Sequence, residues 1–521
     1  MKTRITYVHD ADGQFDPQQA SVENGSLSVR ALAGGRELKV TVALEELPQE
    51  LQQVLKQSHE LHIRWASQRP YPAIEPFASR VSPGLHISYT ASESRRAGDA
   101  LLCPLLRKAF DEELKCSIPE VSFISSPVAS SRSLHFYQLV PSLENLVTFI
   151  QQKLCAQDDD TCHDYASTLA TVDYTDINYD SASSSISISA YWAQAPQEDG
   201  WTETHDIEKG KVEVGVLAPQ PPLEPAETRM GGFLAVVGED QKLKPTLFSF
   251  PARHHSLPKL STYRASFPIP TGLHPTLKLT MPRRGLSPPR TASTGTCSLH
   301  TFITLPSTVF ADKYQLSTSD PLFLHSHNLV SLRSIAGETD LEVPDWVTER
   351  WGSNLLLELA TPRPQPDEDS SDWEVTIPLH LRYLHPTGSG YRNISVPWPI
   401  VFWACAGDDG KKLDQNPFDR VHLGWDELFT PKTTFYQLHP TPVNGDAEAE
   451  DHVLEPRLIE QIRVPVLRIN DGPEGSTQIR NIELGTLLVI VIGFMWVLSK
   501  LGFVARSHGV GENPPAKEKE T

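Results

Sequence analysis

The sequence predicts a mainly β protein: antiparallel, sandwich-like domains with a few short helices, followed by one C-terminal transmembrane helix. Three observations carry this. Apolar residues alternate with polar ones over many short runs, the period of a strand with one buried face. The 43 prolines are spread along the 521 residues; proline removes a backbone donor and fixes φ, which disfavours long helices and suits short strands joined by fixed turns. One stretch alone, Leu484–Val504 (LGTLLVIVIGFMWVLSKLGFV), is apolar almost throughout.

That stretch has 21 residues, 13 of them Leu, Ile, Val or Phe. At ~1.5 Å per residue it spans about 30 Å, the hydrocarbon thickness of a bilayer. Those 13 side chains favour insertion by about 4–8 kcal/mol. Its one charge, Lys500, sits near the end, where a long side chain reaches the headgroups. The reading is a single-pass membrane protein with about 480 residues before the helix and a 17-residue tail after it.

The region before the helix is read in chain order. In Glu37–Leu44, Leu38, Val40, Val42 and Leu44 alternate with polar partners, which predicts a strand. Leu47–Gln57 carries Leu51, Val54 and Leu55 at helical spacing. A strand begins at His62–Trp65. Leu101–Lys115 and Leu143–Cys155 read as short helices. Ser183–Trp192 is serine-rich, but Ile186, Ile188 and Ala190 alternate, so it reads as a strand. Ala218–Met230 is rich in Pro and Glu and reads as a boundary or long loop, and Phe267–Pro289 is a second Pro-rich stretch. Leu299–Leu305, Asn354–Ala360, Trp373–Leu384 and Ile394–Ala404 are strand candidates. Trp373–Leu384 and Ile394–Ala404, with the turn Pro386–Gly390 between them, read as one hairpin of an antiparallel sandwich.

The net charge of −19 argues against a nucleic-acid partner and against broad docking on anionic membrane. The six cysteines, Cys103, Cys116, Cys155, Cys162, Cys297 and Cys405, form no CxxC pair and fit no zinc template. They permit three disulfides without demanding them, so the compartment stays open on this ground. The N-terminal residues contain no apolar run of signal-peptide length. That leaves a tail anchor with a cytosolic domain, or a signal-anchor that translocates its N-terminal mass. Lys500, Arg506, Lys517 and Lys519 after the helix core, against Arg463, Arg468 and Arg480 before it, lean towards a cytosolic tail.

Chemistry-bearing patterns are sparse. Asp158-Asp159-Asp160 and Asp367-Glu368-Asp369 match the D-x-D pattern with which nucleotide-sugar transferases hold a divalent ion. No Gly-rich βαβ unit accompanies either, so both read as solvated acidic loops. His325 and His327 would share a face if extended; His254-His255 and Cys162-His163-Asp164 are other possible ligand groups. None brings a third ligand at a recognisable spacing, so no metal site is assigned. With no G-x-S-x-G, H-E-x-x-H or Walker loop, no catalytic or cofactor-binding residue is assigned either. Asn24-Gly25-Ser26 and Asn393-Ile394-Ser395 are N-glycosylation sequons, used only where the region is lumenal.

Longer strings go further. Leu305–Leu316 (LPSTVFADKYQL), Pro378–Pro386 (PLHLRYLHP), Val396–Cys405 (VPWPIVFWAC), and Gly337–Glu342 ahead of Trp351–Ser353 resemble the PIG-X family, whose fungal members are the Pbn-type proteins. They cover residues 240–405. Leu51–Trp65 (LQQVLKQSHELHIRW) and Thr246–His255 (TLFSFPARHH) resemble the fungal branch. The resemblance implies a division into a fungal-type N-terminal β-rich lumenal region (1–230), a PIG-X-like β-sandwich (231–470), the transmembrane helix (484–504) and a short cytosolic tail (505–521). It implies an endoplasmic reticulum membrane glycoprotein of GPI-anchor biosynthesis. Its role would be that of the non-catalytic subunit of glycosylphosphatidylinositol mannosyltransferase I. That subunit stabilises a polytopic catalytic partner, which adds the first mannose to the GPI precursor. A general folding factor for clients in the lumen is the alternative, and a D-x-D glycosyltransferase a more distant one. No active-site residue is carried across. Asp312, Tyr314, His380, Arg382 and Tyr383 are the motif positions expected either to contact the partner or to close sheet corners.

Overall fold

In the computed structural model, the alternating runs become strands of two large sheets. The structure describes residues 2–9, 19–23, 26–93, 101–128, 131–196, 199–206, 211–224, 226–289, 296–340, 343–362, 371–407, 413, 416–442, 456–469 and 473–508. The chain divides into one unit of residues 1–383 and 393–464, and a second of 384–392 and 465–521.

Within the first unit, an 11-stranded sheet runs in the order Lys244–Pro251, Glu227–Val237, Lys211–Gln220, Lys2–Val8, Gly35–Ala43, Ser185–Trp192, Tyr174–Asp180, Ser58–Ala66, Gly84–Ala91, Leu134–Gln138, Ile124–Ser125. Its register follows the sequence pattern. Ile186, Ile188 and Ala190 lie opposite Val42, Val40 and Leu38, so the apolar positions of both strands share one face, each pair contributing roughly 0.2–1 kcal/mol. All its ladders are antiparallel except that between Lys2–Val8 and Lys211–Gln220. The loop expected over Ala218–Met230 is shorter than its composition suggests. Strands end at Gln220 and resume at Glu227, and Glu227–Val237 runs through residue 230.

One face of this sheet is covered by the helices Gln49–Lys56, Leu102–Ala109 and Glu144–Lys153 and by a small sheet that includes Ser26–Leu32; Leu55, Leu106, Phe149 and Val29 pack into this core. The other face packs on a six-stranded sheet ordered His254–Ser256, Thr433–Gln437, Ile400–Ala406, Cys297–Pro306, Gly352–Leu359, Leu329–Gly337. Tyr174, Tyr191 and Met230 from the first sheet meet Phe302, Phe402 and Phe435 from the second, with Trp425 buried among them. This is the sandwich that the alternation predicts.

The expected hairpin is not formed. Asp372–Pro378 pairs with Thr276–Pro282 in a separate four-stranded sheet. Ile394–Ala404 breaks at Pro397-Trp398-Pro399, and its second half, Ile400–Ala406, pairs with Cys297–Pro306 and Thr433–Gln437. Pro378, Pro397 and Pro399 lack the N–H groups that a continuous ladder needs, so the chain changes sheets there. Three disulfides form: Cys103–Cys116, Cys155–Cys162 and Cys297–Cys405, the last between residues directly opposite in neighbouring strands.

In the second unit Thr387 bridges Arg468, its amide donates to Leu467 and it accepts from the Ile469 amide. A single helix, Pro473–His508, follows. Its stretch Arg480–Val504, 25 residues with exposed side chains and a mean hydropathy of 2.3 over its most apolar 18 residues, is long and apolar enough to cross a membrane. A Cβ on Gly485, Gly493 or Gly502 would meet nothing within 4 Å.

Candidate functional site

The ladder Val309–Phe310 with His380–Leu381 brings the five motif residues into one neighbourhood, with Phe310 opposite His380 and Val309 opposite Leu381. They then divide by role. Asp312 caps the short helix Lys313–Leu316: its Oδ1 accepts from the amides of Tyr314 (2.8 Å) and Gln315 (3.3 Å). Arg382 is 2% exposed. It donates to the carbonyls of Asp340 (2.6 Å), Val343 (2.7 Å) and Glu338 (3.3 Å), with its guanidinium 4.4 Å above the Phe310 ring. Burial pulls its pKa down against the pull of Glu338 and Asp340. These two residues hold backbone in place, as an N-cap and a buried arginine fork do.

His380 stacks on Phe310 and meets His274 edge-on, with the two Nδ1 atoms 3.1 Å apart. One ring must donate and the other accept. Burial, then the neighbouring imidazole, holds His380 below the ordinary histidine range. Tyr314 and Tyr383 differ: they are 70% and 69% exposed. The Asp345 amide donates to the Tyr383 carbonyl, which sets Trp346 (50% exposed) and Val347 beside it. Tyr314, Tyr383 and Trp346 thus leave aromatic surface exposed around the ladder, a composition enriched at interface hot spots.

A second constellation lies between the two large sheets, and sequence reasoning missed it. Asp176, fully inside, accepts from Arg420 Nε (2.5 Å) and Nη2 (2.9 Å), and lies 3.6 Å from Arg64 Nε. Arg420 also donates to the Ser79 carbonyl (2.9 Å) and covers the Tyr174 ring at 3.8 Å. Burial alone would push the Asp176 carboxyl up, but Arg420 and Arg64 together hold it below the usual range. Asp426 accepts from the Leu423 amide (2.8 Å), and Arg253 reaches both its carboxylate (3.8 Å) and its carbonyl (2.8 Å). Asp419 is pushed up to about 7, by burial and then by Asp426. Further along the same face, His62 and His422 stack at 4.2 Å. His62 Nδ1 meets Asn178 Oδ1 at 2.8 Å, while Glu427 accepts from His422 Nδ1. The one local signal is that His62 and Arg64 share one face of a strand whose other face carries Leu61, Ile63 and Trp65. Nothing local announces partners some 240 or more residues away.

The other sequence candidates take structural places. Asp159 caps the helix Asp160–Thr168 by accepting from the Cys162 amide (3.0 Å), with Asp158 and Asp160 at the surface; Asp367 and Asp369 lie outside the described residues. His325 and His327 sit in the helix Pro321–His327, not in a strand, and His327 Nδ1 bonds Thr376 Oγ1 (2.8 Å). Cys162 is committed to its disulfide. His254 and His255 are buried in consecutive strand positions, which point to opposite faces. A cleft of about 930 Å³ between the 70–75 segment and Ser256–Lys259 has Glu75 as the only carboxylate among its described lining residues. Asn393 is exposed on its strand, and Asn24 lies outside the described residues.

Comparison with known proteins finds relatives along the whole chain. The family model described as PIG-X / PBN1 matches residues 270–502, which include the motif ladder, Arg420, His422 and most of the apolar helix. The chain is 52% identical to Protein pbn1 of Emericella nidulans over the whole of both chains. It is 48% identical to Protein pbn1 of Aspergillus oryzae (98% of this chain, 97% of that protein) and 39% identical to that of Neurospora crassa (100% and 98%). Identity at this level over the full length includes the N-terminal strands as well as the matched region, and it places the chain in the PIG-X / PBN1 family.

Proposed function

We propose that this protein is the non-catalytic subunit of glycosylphosphatidylinositol mannosyltransferase I. In this reading it resides in the endoplasmic reticulum membrane with its large unit in the lumen and its tail in the cytosol. It stabilises the polytopic subunit that adds the first mannose to the GPI precursor. Family membership over the full length carries the reading. Three disulfides suit an oxidising compartment, and the exposed Asn393 suits glycan attachment.

Two features suit a partner. Tyr314, Tyr383 and Trp346 present aromatic surface from a rigid ladder. In the helix, Gly485, Gly493 and Gly502 each cost about 1 kcal/mol of helix propensity, yet among the described residues a Cβ on any of them would meet nothing within 4 Å; close approach of another helix is the ordinary return for that cost. The test is depletion in cells. The catalytic subunit's abundance and mannose transfer to the GPI precursor should both fall and return with the wild-type chain. Unchanged abundance and transfer would refute the reading. Endoglycosidase H digestion should shift the wild-type chain more than Asn393→Gln, and protease access to the large unit from the cytosolic side of sealed microsomes would refute the topology.

A further inference from the structure

We propose that Glu60, His62 and His422 form a binding site for one divalent transition-metal ion of the zinc class. Each offers one ligand atom, and the three atoms lie within 4.8 Å of one another. Glu60 and His62 are two apart on the strand Ser58–Ala66 and so share a face; His422 arrives on a loop from the other half of the chain.

Both imidazoles are set up as ligands. His62 Nδ1 is held by Asn178 Oδ1 at 2.8 Å and His422 Nδ1 by the Glu427 carboxylate. Each acceptor fixes the tautomer with its proton on Nδ1 and leaves the Nε2 lone pair free. A histidine ligand almost always has its second nitrogen held in this way. His62 Nε2 is buried without a hydrogen-bond partner, in a residue only 7% exposed. A buried polar atom left unpaired costs free energy, and a metal ion would satisfy it. His422 is held at φ +59°, a left-handed backbone rare outside glycine, which aims its ring across His62.

Donor chemistry selects the ion. Two imidazoles and a carboxylate suit zinc, copper or cobalt more than calcium or magnesium. Zinc–donor lengths of about 2.0–2.2 Å put tetrahedral donors roughly 3.4 Å apart, so the three atoms, now within 4.8 Å of one another, must close by up to about 1.5 Å, and the His422 ring must turn out of its 24° stack on His62 for both Nε2 lone pairs to meet one ion. Glu60 and His422, both less buried than His62, are the side chains that move. A cavity of about 30 Å³ beside His62 and His422, which His86 and His135 also line, leaves room for a water as fourth ligand. The charges of Glu60 and Glu427 balance a divalent ion, while the nearby Arg64 is already paired with Asp176. An ion here would tie the 11-stranded sheet to the loop that leads into Thr433–Gln437. The inference does not depend on the mannosyltransferase reading.

The test is metal binding by the purified full-length protein in detergent after chelator treatment. One equivalent of Zn²⁺ should bind, and Co²⁺ should give the visible absorption of a low-coordinate N/O site. His62→Gln and His422→Gln should each abolish that binding, and His325→Gln should not. Glu427→Gln, which touches only the Nδ1 proton, should weaken it about 10–100-fold. If a histidine variant fails to fold, protection of His62 and His422 from diethylpyrocarbonate by Zn²⁺, read by mass spectrometry on wild type, takes its place. No stoichiometric binding by wild type, binding retained in both folded histidine variants, or no protection would overturn the proposal.

Discussion

Replacing Asp176 with asparagine keeps the shape of the side chain and removes the one anion between two buried guanidiniums. Arg420 would keep its bond to the Ser79 carbonyl and its contact with Tyr174, and Arg64 would face it uncompensated. Removing one partner of a buried ion pair costs about 3–5 kcal/mol, because the remaining charge stays desolvated. The shared anion here puts Asp176→Asn at the upper end. For a unit of about 450 residues, an unfolding entropy of ~2.1 cal/mol/K per residue converts about 5 kcal/mol into a Tm loss of about 5 °C. The assay is unfolding of the purified protein followed by tryptophan fluorescence, since Trp425 sits beside the network and reports its exposure. A cycle with Arg420→Gln separates the pair from its surroundings: the double variant should lose less than the two single losses added together, by roughly 2–3 kcal/mol. A single-variant loss below about 1 kcal/mol, with no coupling, would refute the claim that this pair joins the sheets.

Other consequences follow from the same geometry. Asp419 titrates near 7 when folded against an ordinary value of 3.8, so the folded state holds its proton more tightly; stability should fall as pH rises from about 4 to 7, by up to about 4 kcal/mol. Asp419→Asn should flatten that slope in urea titrations at pH 5 and pH 7.5, and an unchanged slope would count against the assignment. Among the disulfides, Cys297–Cys405 closes 108 residues and Cys155–Cys162 only 7; chain-entropy loss then gives about 5 against about 2 kcal/mol, so the double serine variant of the first should melt well below that of the second. At the motif ladder, Tyr314→Ala and Tyr383→Ala should leave the melting curve within about 0.5 kcal/mol while weakening co-purification of the catalytic subunit. Arg382→Met, which leaves three loop carbonyls without their donor, should instead lower stability, and the reverse pattern would assign the roles the other way round.

The sequence was legible where structure is local. Alternation located Gly35–Ala43, Ser185–Trp192 and Cys297–Pro306 to within a few residues, because a half-buried strand writes its environment into every second position. Helical spacing located Gln49–Lys56, whose Val54 and Leu55 are buried. The apolar helix was plainest of all, because it is apolar on every side, unlike any other described stretch of this length. Strand partners were not legible. The proposed hairpin joined neighbours in sequence, whereas Ile400–Ala406 finds its partners about 100 residues upstream and 30 downstream. The motif string around Arg382 marked the right neighbourhood, but nothing in it separates a side chain that braces loop carbonyls from one that faces outward. That distinction depends on the carbonyls of Glu338, Asp340 and Val343, which accept from Arg382. Asp176 and Arg420 left no trace, since a single acid in an alternating strand looks like an outward-facing residue.

Why the sandwich keeps this ionic column is a question of energetics. A buried pair is weak evidence for stability, since apolar residues of similar volume often serve as well or better. Its distinctive property is directionality. The apolar faces of the two sheets would tolerate sliding past one another, whereas Arg420 satisfies both oxygens of Asp176 and the Ser79 carbonyl in one arrangement only. The column therefore selects one seating, on the 11-stranded sheet, of the loop that leads into Thr433–Gln437 of the second sheet. The combined variant Arg64→Met, Asp176→Leu, Arg420→Met should thus be as stable as wild type, or more so. It should nonetheless show faster amide exchange in Tyr174–Asp180 and Ile400–Ala406, where alternative alignments open the ladders. If its exchange in these strands matches wild type, the column does not specify alignment, and its retention has to be sought in the neighbouring His62–His422 cluster.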